Sequence, residues 1–221
     1  MRVVGGDVWR KGWVAVGLAD GRLDEVATFD SVGELIAAHP EAVVIALDMP
    51  IGLPEQPPRP ADVEARSFLG PRRSSVFPAP PKDVLERKTY REARLLSKKR
   101  YGQGLSAYSY SMRRRIMETD EASRHDRRLI EVHPEVSFRA LAGTPLEYSK
   151  RTWNGQMERR ALLEQAGIVL PDRLPAGVGQ VPVDDVLDAA AAAWSARRHA
   201  MGEALSLPTS SPPGTGGVIW Y

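Results

Sequence analysis

Two aspartates stand where predicted β-strands end. Asp7 lies near the end of the strand-like segment Arg2–Val8, and Asp48 directly follows the apolar segment Ala42–Leu47. A continuous apolar run of this length is typical of a central, parallel strand that is buried on both faces. The carboxyl ends of neighbouring parallel strands meet at one edge of an α/β sheet, where such folds place their sites. We therefore expect Asp7 and Asp48 to lie close together, although either one alone would also fit a loop cap.

A second acidic pair, Asp185 and Asp188, lies at the start of the last predicted helix, which runs from Asp184 to near Gly202. Residues three apart share a helix face, so both carboxylates point in one direction. Acids in a first helical turn also stabilise the helix dipole, which accounts for Asp185 without any chemistry. This simpler explanation fits Asp188 poorly, because Asp188 lies deeper in the helix and among apolar residues.

Glu131 and His133 lie at the end of the short predicted strand Arg128–His133 and share one of its faces. The alternative is that both are solvated side chains without a functional role. Carboxylates that converge within about 5 Å repel one another and take up protons unless a cation lies among them. Oxygen ligands without cysteine favour Mg²⁺ or Mn²⁺, and two such ions can promote phosphodiester hydrolysis without a protein nucleophile. The sequence therefore predicts one set of metal-binding and catalytic carboxylates: Asp7, Asp48, Glu131, Asp185 and Asp188.

The composition excludes several classes of protein. The 221 residues contain no cysteine, which excludes disulfides, thiolate metal sites and cysteine nucleophiles. No serine lies in a strand-turn-helix nucleophile elbow. The N-terminus lacks the apolar run of a signal peptide, and no apolar stretch is long enough to span a bilayer. We expect a cytoplasmic protein without a membrane partner, and the sequence leaves its oligomeric state undetermined.

The elements that must position the acids follow the order βββαβαβα. Arg2–Val8, Gly12–Leu18 and Leu23–Phe29 are spaced as consecutive antiparallel hairpins. Ser31 and Glu34 form a capping-box pattern for a helix that should end near His39-Pro40. The buried strand then returns beside the first through a right-handed crossover. This order predicts an α/β fold with a mixed five-stranded sheet flanked by helices, and Gly217–Tyr221 is a candidate for one more short strand.

The middle of the chain has a different composition. Half of the 18 prolines lie between Pro50 and Pro81, which predicts mainly loop there. Lys82–Arg100 and Ala107–Thr119 have helical patterns. We interpret residues 50–128 as an insertion across one end of the sheet, within a single domain formed by residues 1–221.

The insertion is also basic. Arg87 to Arg115 contains ten Lys or Arg residues and one acid, Glu92. Basic grooves with stacking aromatic rings hold single-stranded nucleic acid. The alternative is a solvated basic face with tyrosines packed in the core. The aromatic candidates for stacking are Tyr90, Tyr101, Tyr108 and Tyr110.

With these motifs in place, the chain resembles the RNase H-like superfamily, whose acids lie on the first and fourth strands and on the last helix. The pair Asp185 and Asp188 is similar to the arrangement in Holliday-junction resolvases. More specifically, the chain resembles a family of uncharacterised bacterial and archaeal proteins described as predicted nucleases of the RNase H fold. The matching motifs are Gly6-Asp7 with Gly12-Trp13; Asp48-Met49-Pro50-Ile51-Gly52-Leu53; Arg59 with Asp62 and Arg66; Gly70 leading to Ser74-Ser75-Val76-Phe77; Glu131-Val132-His133-Pro134-Glu135; Gly143-Thr144-Pro145-Leu146 with Ser149-Lys150; and Asp184-Asp185-Val186-Leu187-Asp188-Ala189.

The resemblance implies that the five predicted carboxylates face a Mg²⁺ or Mn²⁺ centre. It also implies that the segment Arg72–Phe77 is a lid or substrate loop, since arginine and serine suit phosphate. A surface turn with Val76 and Phe77 packed inward would be the simpler explanation. The residues that the resemblance implies for substrate binding are Arg59, Arg66, Arg73, Ser74, Ser75, His133 and Lys150.

Three functions fit these patterns. The first is a metal-dependent nuclease that hydrolyses DNA or RNA. The second is a phosphotransferase or phosphatase acting on a small phosphorylated metabolite, although no second glycine-rich phosphate loop is evident and Gly214-Thr215-Gly216-Gly217 has no helix after it. The third is a non-catalytic nucleic-acid-binding module. Against this function, converging carboxylates without a cation would lower the stability of the fold.

Overall fold

A computed structural model describes residues 1–10, 12–210 and 217–221. The prediction of an α/β fold with a mixed sheet flanked by helices is confirmed. The strands are β1 Arg2–Trp9, β2 Gly12–Ala19, β3 Arg22–Phe29, β4 Ala42–Leu47, β5 Leu129–Val132, β6 Ser206–Leu207 and β7 Ile219–Trp220. The helices are α1 Val32–Ala38, α2 Pro60–Leu69, α3 Lys82–Leu85, α4 Tyr90–Tyr101, α5 Ala107–Ser111, α6 Arg113–His125, α7 Pro134–Ala142, α8 Trp153–Gln165 and α9 Val183–Ala200.

The strands form one mixed sheet of seven strands in the order β3-β2-β1-β4-β5-β7-β6. The prediction of five strands was therefore too low, although the last strand lies within the candidate segment Gly217–Tyr221. The neighbours β1 and β4 are parallel, as are β4 and β5, whereas β1–β2 and β2–β3 are antiparallel hairpin pairs. The two additional strands, β6 and β7, span two residues each. Segments this short are too brief for alternation to show in a sequence.

The sheet is buried on both faces. Val3 and Val44 point to one face, where α7, α8 and α9 pack. Val4 and Ile45 point to the other face, where α1 and α6 complete the core. This arrangement explains why β4 is apolar throughout its last four residues: alternate side chains enter different cores.

The first crossover helix begins as predicted. The Ser31 side chain accepts a hydrogen bond from the Glu34 N–H (3.1 Å), which caps α1. A capping box would also have the Glu34 carboxylate accept from the N–H of Ser31. Here the Glu34 carboxylate accepts instead from the N–H of Asp30. The helix ends at Ala38, before His39-Pro40, as the proline requires.

The segment between β4 and β5, which we interpreted as an insertion, is more helical than its prolines indicated. Pro60 starts α2, where a proline is favoured because its missing N–H would have no partner in the first turn. Gly70–Ser75 continues as a 3₁₀ helix. A small apolar cluster of Val84, Ala93, Leu105 and Tyr110 joins the basic helices. In α8, the Thr152 side chain accepts from the Gly155 N–H and provides the N-terminal cap.

Candidate functional site

The strand register brings Asp7 and Asp48 to one edge and one face of the sheet. Gly6 lies opposite Leu47 in the parallel pair of β1 and β4, and the Asp48 N–H donates to the Gly6 carbonyl (3.0 Å). Because side chains alternate along a strand, both aspartates point towards the face that α9 covers. The structure thus places them as the sequence predicted.

The register also separates Glu131 from these aspartates. Glu131 lies opposite Leu47, one position before Asp48, so its side chain points to the other face of the sheet. Glu131 is buried there and belongs to a different charge cluster, described below, although it lines the same cavity as the aspartates.

The helix α9 brings Asp188 to the same edge through close packing. A Cβ atom on Gly5 of β1 would lie 2.0 Å from the backbone nitrogen of Ala193 and 2.3 Å from the Ala189 carbonyl oxygen. Only a glycine fits this contact. The buried alanine run 189–193 supplies the matching small face of the helix. Asp188 is therefore held 1% exposed, and Asp185 one turn earlier also lines the cavity at the sheet edge.

One cation, Lys150, lies among these acids. Its ammonium donates a very short hydrogen bond to Asp188 Oδ2. Burial lowers the pKa of Lys150, but the charges of Asp188, Asp7 and Asp48 outweigh burial, so the net pKa is raised. Lys150 comes from the loop before α8, and the sequence had predicted it as a substrate-binding residue.

The aspartates at the sheet edge have raised pKa values mainly because they are buried. Burial raises the pKa of Asp7 well above its ordinary value, and Asp48, Asp188 and Asp185 raise it further. Burial also raises the pKa of Asp48, although His133 and Lys150 oppose this effect.

The two helix carboxyls follow the same pattern. The pKa of Asp188 rises to about 7 through burial, against the opposing charge of Lys150. That of Asp185 rises to about 6, through burial and the charge of Asp184. Strongly shifted acids that line one cavity are typical of functional sites.

The donor set of this site suits a hard divalent cation. Asp188 Oδ1 is buried and has no hydrogen-bond partner in the described part of the chain, so one carboxylate oxygen is available as a ligand. Carboxylate oxygens are the ligands that Mg²⁺ and Mn²⁺ prefer. As arranged, however, no three His, Asp or Glu residues within 1–10, 12–210 and 217–221 have the spacing of a metal site. Lys150 would have to leave Asp188 for a cation to enter.

A second buried cluster contains Glu131, and each carboxylate oxygen in it accepts a hydrogen bond, although burial still raises the pKa of Glu131. The Arg59 guanidinium donates to both oxygens of Glu131, at 2.6 and 2.8 Å, and to Asp62 at 2.6 Å. Glu131 also accepts from the Ile51 N–H (2.7 Å), and Asp62 from the Ala79 N–H (2.9 Å). The carboxylates raise the pKa of Arg59 despite its burial. The structure therefore brings Arg59 and Glu131, predicted as substrate-binding and catalytic residues, into an ion pair with each other.

The remaining predicted substrate residues separate into two groups. Ser74, Ser75 and His133 line the same cavity as the acids, and His133 Nε2 lies 3.3 Å from the Ser75 carbonyl oxygen. Arg66 instead donates to the Val76 carbonyl (2.8 Å), and the exposed Arg73 does not line the cavity.

Several cavity residues were not predicted as site residues. Phe77 and Tyr108 lie at its mouth, 51% and 60% exposed. Glu135 also lines the cavity, where it accepts from the fully buried Arg159 at 2.6 Å. No local pattern indicates the pairing of Glu135 with Arg159, because their partnership depends on how α7 packs against α8.

The cavity has a volume of about 710 Å³ and is lined by carboxylates on one side and by the insertion on the other. The fold and site together define a mixed α/β protein with an acidic cavity at the carboxyl edge of its sheet. The chain belongs to the family described as protein of unknown function DUF429, whose model matches residues 5–212. No curated protein and no solved structure matches the chain significantly. None of the helices in the described ranges is both long and apolar enough to cross a membrane.

Proposed function

We propose that this protein is a divalent-metal-dependent nuclease of the RNase H-like type, acting on phosphodiester bonds in the acidic cavity. The observation that carries the proposal is the convergence of carboxyls from β1, from the end of β4 and from α9 around a single lysine. The RNase H-like resemblance predicted acids on these three elements. The order β3-β2-β1-β4-β5 within the sheet also agrees with it.

Asp7, Asp48 and Asp188 would hold Mg²⁺ or Mn²⁺, with Asp185 at the cavity edge. When bound, such a cation activates water and stabilises charge on the phosphate oxygens. Each carboxylate then acts as a ligand rather than as a nucleophile. Glu131 instead holds Arg59, and through the Ile51 N–H it also holds the loop that follows Asp48.

Lys150 has two roles in this proposal. In the protein without metal, it partly neutralises the aspartates through Asp188. Its side chain is 32% exposed, so it can move into solvent when a divalent cation takes over the carboxylates. The freed ammonium would then be available to a phosphate oxygen, which agrees with its predicted substrate-binding role.

The basic helix α4 favours a polymer over a small substrate. Five Lys or Arg side chains of this helix are exposed, whereas Glu92 is its one acid. Its Ser97 lines a smaller cavity of about 130 Å³ that shares Phe77 and Ser109 with the acidic cavity. A strand leaving the acidic cavity along this path would gain phosphate contacts.

A purified-protein cleavage assay tests the proposal. Single-stranded, duplex and branched DNA and RNA are incubated with Mn²⁺ or with EDTA. We expect metal-dependent cleavage by the wild type and a loss of cleavage in Asp48→Asn. The matched control is Asp172→Asn, whose carboxylate is 96% exposed and lies outside the cavity; it should cleave normally. Equal cleavage by Asp48→Asn and wild type would refute the assignment of this site.

The size of the cavity also favours a second candidate. A volume of about 710 Å³ lies within the range of small-molecule pockets, roughly 300–1,000 Å³. A phosphatase or phosphotransferase acting on a small phosphorylated metabolite would use the same carboxylates. Release of phosphate from small esters, lost in Asp48→Asn and with no nucleic acid cleaved, would establish this candidate instead. Salt-sensitive binding without any cleavage would indicate a non-catalytic nucleic-acid-binding module.

A further inference from the structure

Three of the four tyrosines in the basic insertion have structural roles. The Tyr90 hydroxyl donates to the Leu105 carbonyl (2.9 Å), and the Tyr110 hydroxyl to the Arg87 carbonyl (2.8 Å). The Tyr101 hydroxyl donates to Asp83 (2.9 Å). These bonds fix the packing of α3, α4 and α5. The presence of these three rings is therefore explained without a ligand.

Tyr108 differs from the other three. Its ring is 60% exposed, and it lines the acidic cavity. The pKa of its hydroxyl is raised by desolvation and further by the charges of Asp48 and Asp7, which agrees with a position beside the acids. Burial in the core does not explain this largely exposed ring. Its place beside a cavity of carboxylates requires another explanation.

Phe77 completes an aromatic surface with Tyr108. Their ring centroids lie 5.4 Å apart with an angle of 43° between the planes. Phe77 is 51% exposed, although its apolar ring would be stabilised by burial, and it too lines the cavity. The two rings come from separate parts of the insertion: Phe77 follows the 3₁₀ helix, and Tyr108 lies in α5.

We propose that Phe77 and Tyr108 form a stacking site for one nucleobase whose neighbouring phosphate enters the acidic cavity. This inference rests on the proposed function and adds the substrate class: an unpaired nucleotide, in a single strand or free. The two rings already contact each other, so the base stacks on their outer faces and is not inserted between them. A base within a duplex presents no free face to such a surface, so single strands are preferred.

The neighbouring charges suit the same ligand. Arg72 lies on the cavity wall, where Nε and Nη2 donate to the Leu146 carbonyl at 3.1 Å and hold the guanidinium in place. Lys150 and Arg151 line the cavity from the loop before α8. A ligand with a planar aromatic ring and an adjacent phosphate satisfies both the aromatic rings and these cations, whereas a phosphate ester without a ring uses only the cations.

Abasic substitution tests the site directly. Binding of a fluorescein-labelled ten-nucleotide single strand is measured by anisotropy in Mg²⁺, in the Asp48→Asn background so that no cutting intervenes. The probes are oligothymidine and a series with one base removed at each position in turn, which retains every phosphate. We expect one position at which removal of the base weakens binding about 5-fold to 100-fold, the usual contribution of one stacked base.

Substitutions in the aromatic pair identify the surface responsible. Tyr108→Ala and Phe77→Ala should each weaken binding of the intact strand and make the sensitive abasic position neutral. Tyr108→Phe retains the ring and should bind as the parent does. Trp153→Ala is the matched control, because this ring is 75% exposed but does not line the cavity. Thymidine monophosphate compared with ribose 5-phosphate, by calorimetry, shows whether a free nucleotide also uses the site.

The outcomes separate this inference from the proposed function. Equal binding of intact and abasic strands, or unchanged binding in both alanine variants, would overturn the stacking site, even if metal-dependent cleavage by the wild type is found. Base-dependent binding that Tyr108→Ala removes, together with no cleavage by the wild type, would support the stacking site and refute the nuclease.

Discussion

Two buried acidic clusters line the cavity at the sheet edge, and among the described residues they differ in whether every carboxylate oxygen has a hydrogen-bond partner. In one, the Arg59 guanidinium pairs with Glu131 and Asp62, and backbone N–H groups satisfy the remaining oxygens. In the other, Lys150 pairs with Asp188 beside Asp7 and Asp48, and Asp188 Oδ1 has no partner among the described residues. A buried carboxylate whose oxygens are all hydrogen-bonded fits a structural role, whereas a buried carboxylate oxygen without a partner costs stability unless a ligand binds it. The comparison separates the acids that hold the fold from those that we propose as metal ligands.

The largest loss of stability should come from removing Arg59 from its cluster with Glu131 and Asp62. Arg59→Met leaves two buried carboxylates without their cation and should destabilise the protein by about 3–5 kcal/mol. Chemical denaturation measures the free energy of unfolding. The matched control is Arg100→Met, since Arg100 is 59% exposed in its pair with Asp83 and should contribute at most about 1 kcal/mol. Similar losses in the two variants would contradict the structural role of Arg59.

The aspartate cluster should make the metal-free protein less stable as the pH rises. Burial raises the pKa of Asp188 to about 7 from an ordinary value of 3.8, so the folded state binds more protons than the unfolded state between these values. Stability from this group is then complete below pH 4 and falls by up to about 1.4 kcal/mol per pH unit until pH 7.

Urea denaturation in EDTA at pH 5 and pH 7.5 measures this slope. Asp188→Asn removes the titrating group and should flatten the dependence, whereas Asp172→Asn, at a 96% exposed position, should retain it. An identical slope in wild type and Asp188→Asn would show that the excess charge resides elsewhere.

A divalent cation should supply the positive charge that the aspartate cluster lacks and should therefore stabilise the folded protein. Binding to the folded state alone adds stability by mass action, about 2.7 kcal/mol when the free ion is at 100 times its dissociation constant. We expect Mn²⁺ to raise the melting temperature of the wild type at pH 7.5 and to leave that of Asp7→Asn nearly unchanged. Glu34→Gln, an exposed substitution on α1, should respond as the wild type does. A full Mn²⁺ response in Asp7→Asn would exclude Asp7 as a ligand.

The smallest of the four effects concerns the packing that unites the aspartates. Gly5→Ala forces α9 away from β1 and should cost roughly 1–3 kcal/mol, as overpacking in a core does. Because α9 carries Asp188, the stabilisation by Mn²⁺ should decrease as well. Gly177→Ala is the control, since nothing lies within 4 Å of its added Cβ. Unchanged stability and Mn²⁺ response in Gly5→Ala would show that the helix position is not limiting.

Much of the fold could be predicted from residue patterns that act over short distances. The three hairpin strands, the buried β4 and the cap of α1 follow from alternation, a continuous apolar run and a serine three residues before a glutamate. The close approach of α9 to the sheet likewise depends on small residues, the alanines of the helix and Gly5 of β1. The helix α2 was missed because a proline-rich composition indicates loop, although Pro60 occupies the first turn, where proline is favoured.

The sequence by itself determined which residue types reach the sheet edge: Asp7 and Asp48 at parallel strand ends, and Asp188 on the closing helix. Only the tertiary structure decided which basic side chains pair with the acids. Glu131 pairs with Arg59, 72 residues away, and Lys150 pairs with Asp188, 38 residues away. Strand and helix periodicity act over a few residues, whereas an ion pair depends on which distant segments the packing brings together. For that reason five carboxylates that looked equivalent in the sequence divide into a structural acid and a candidate metal site.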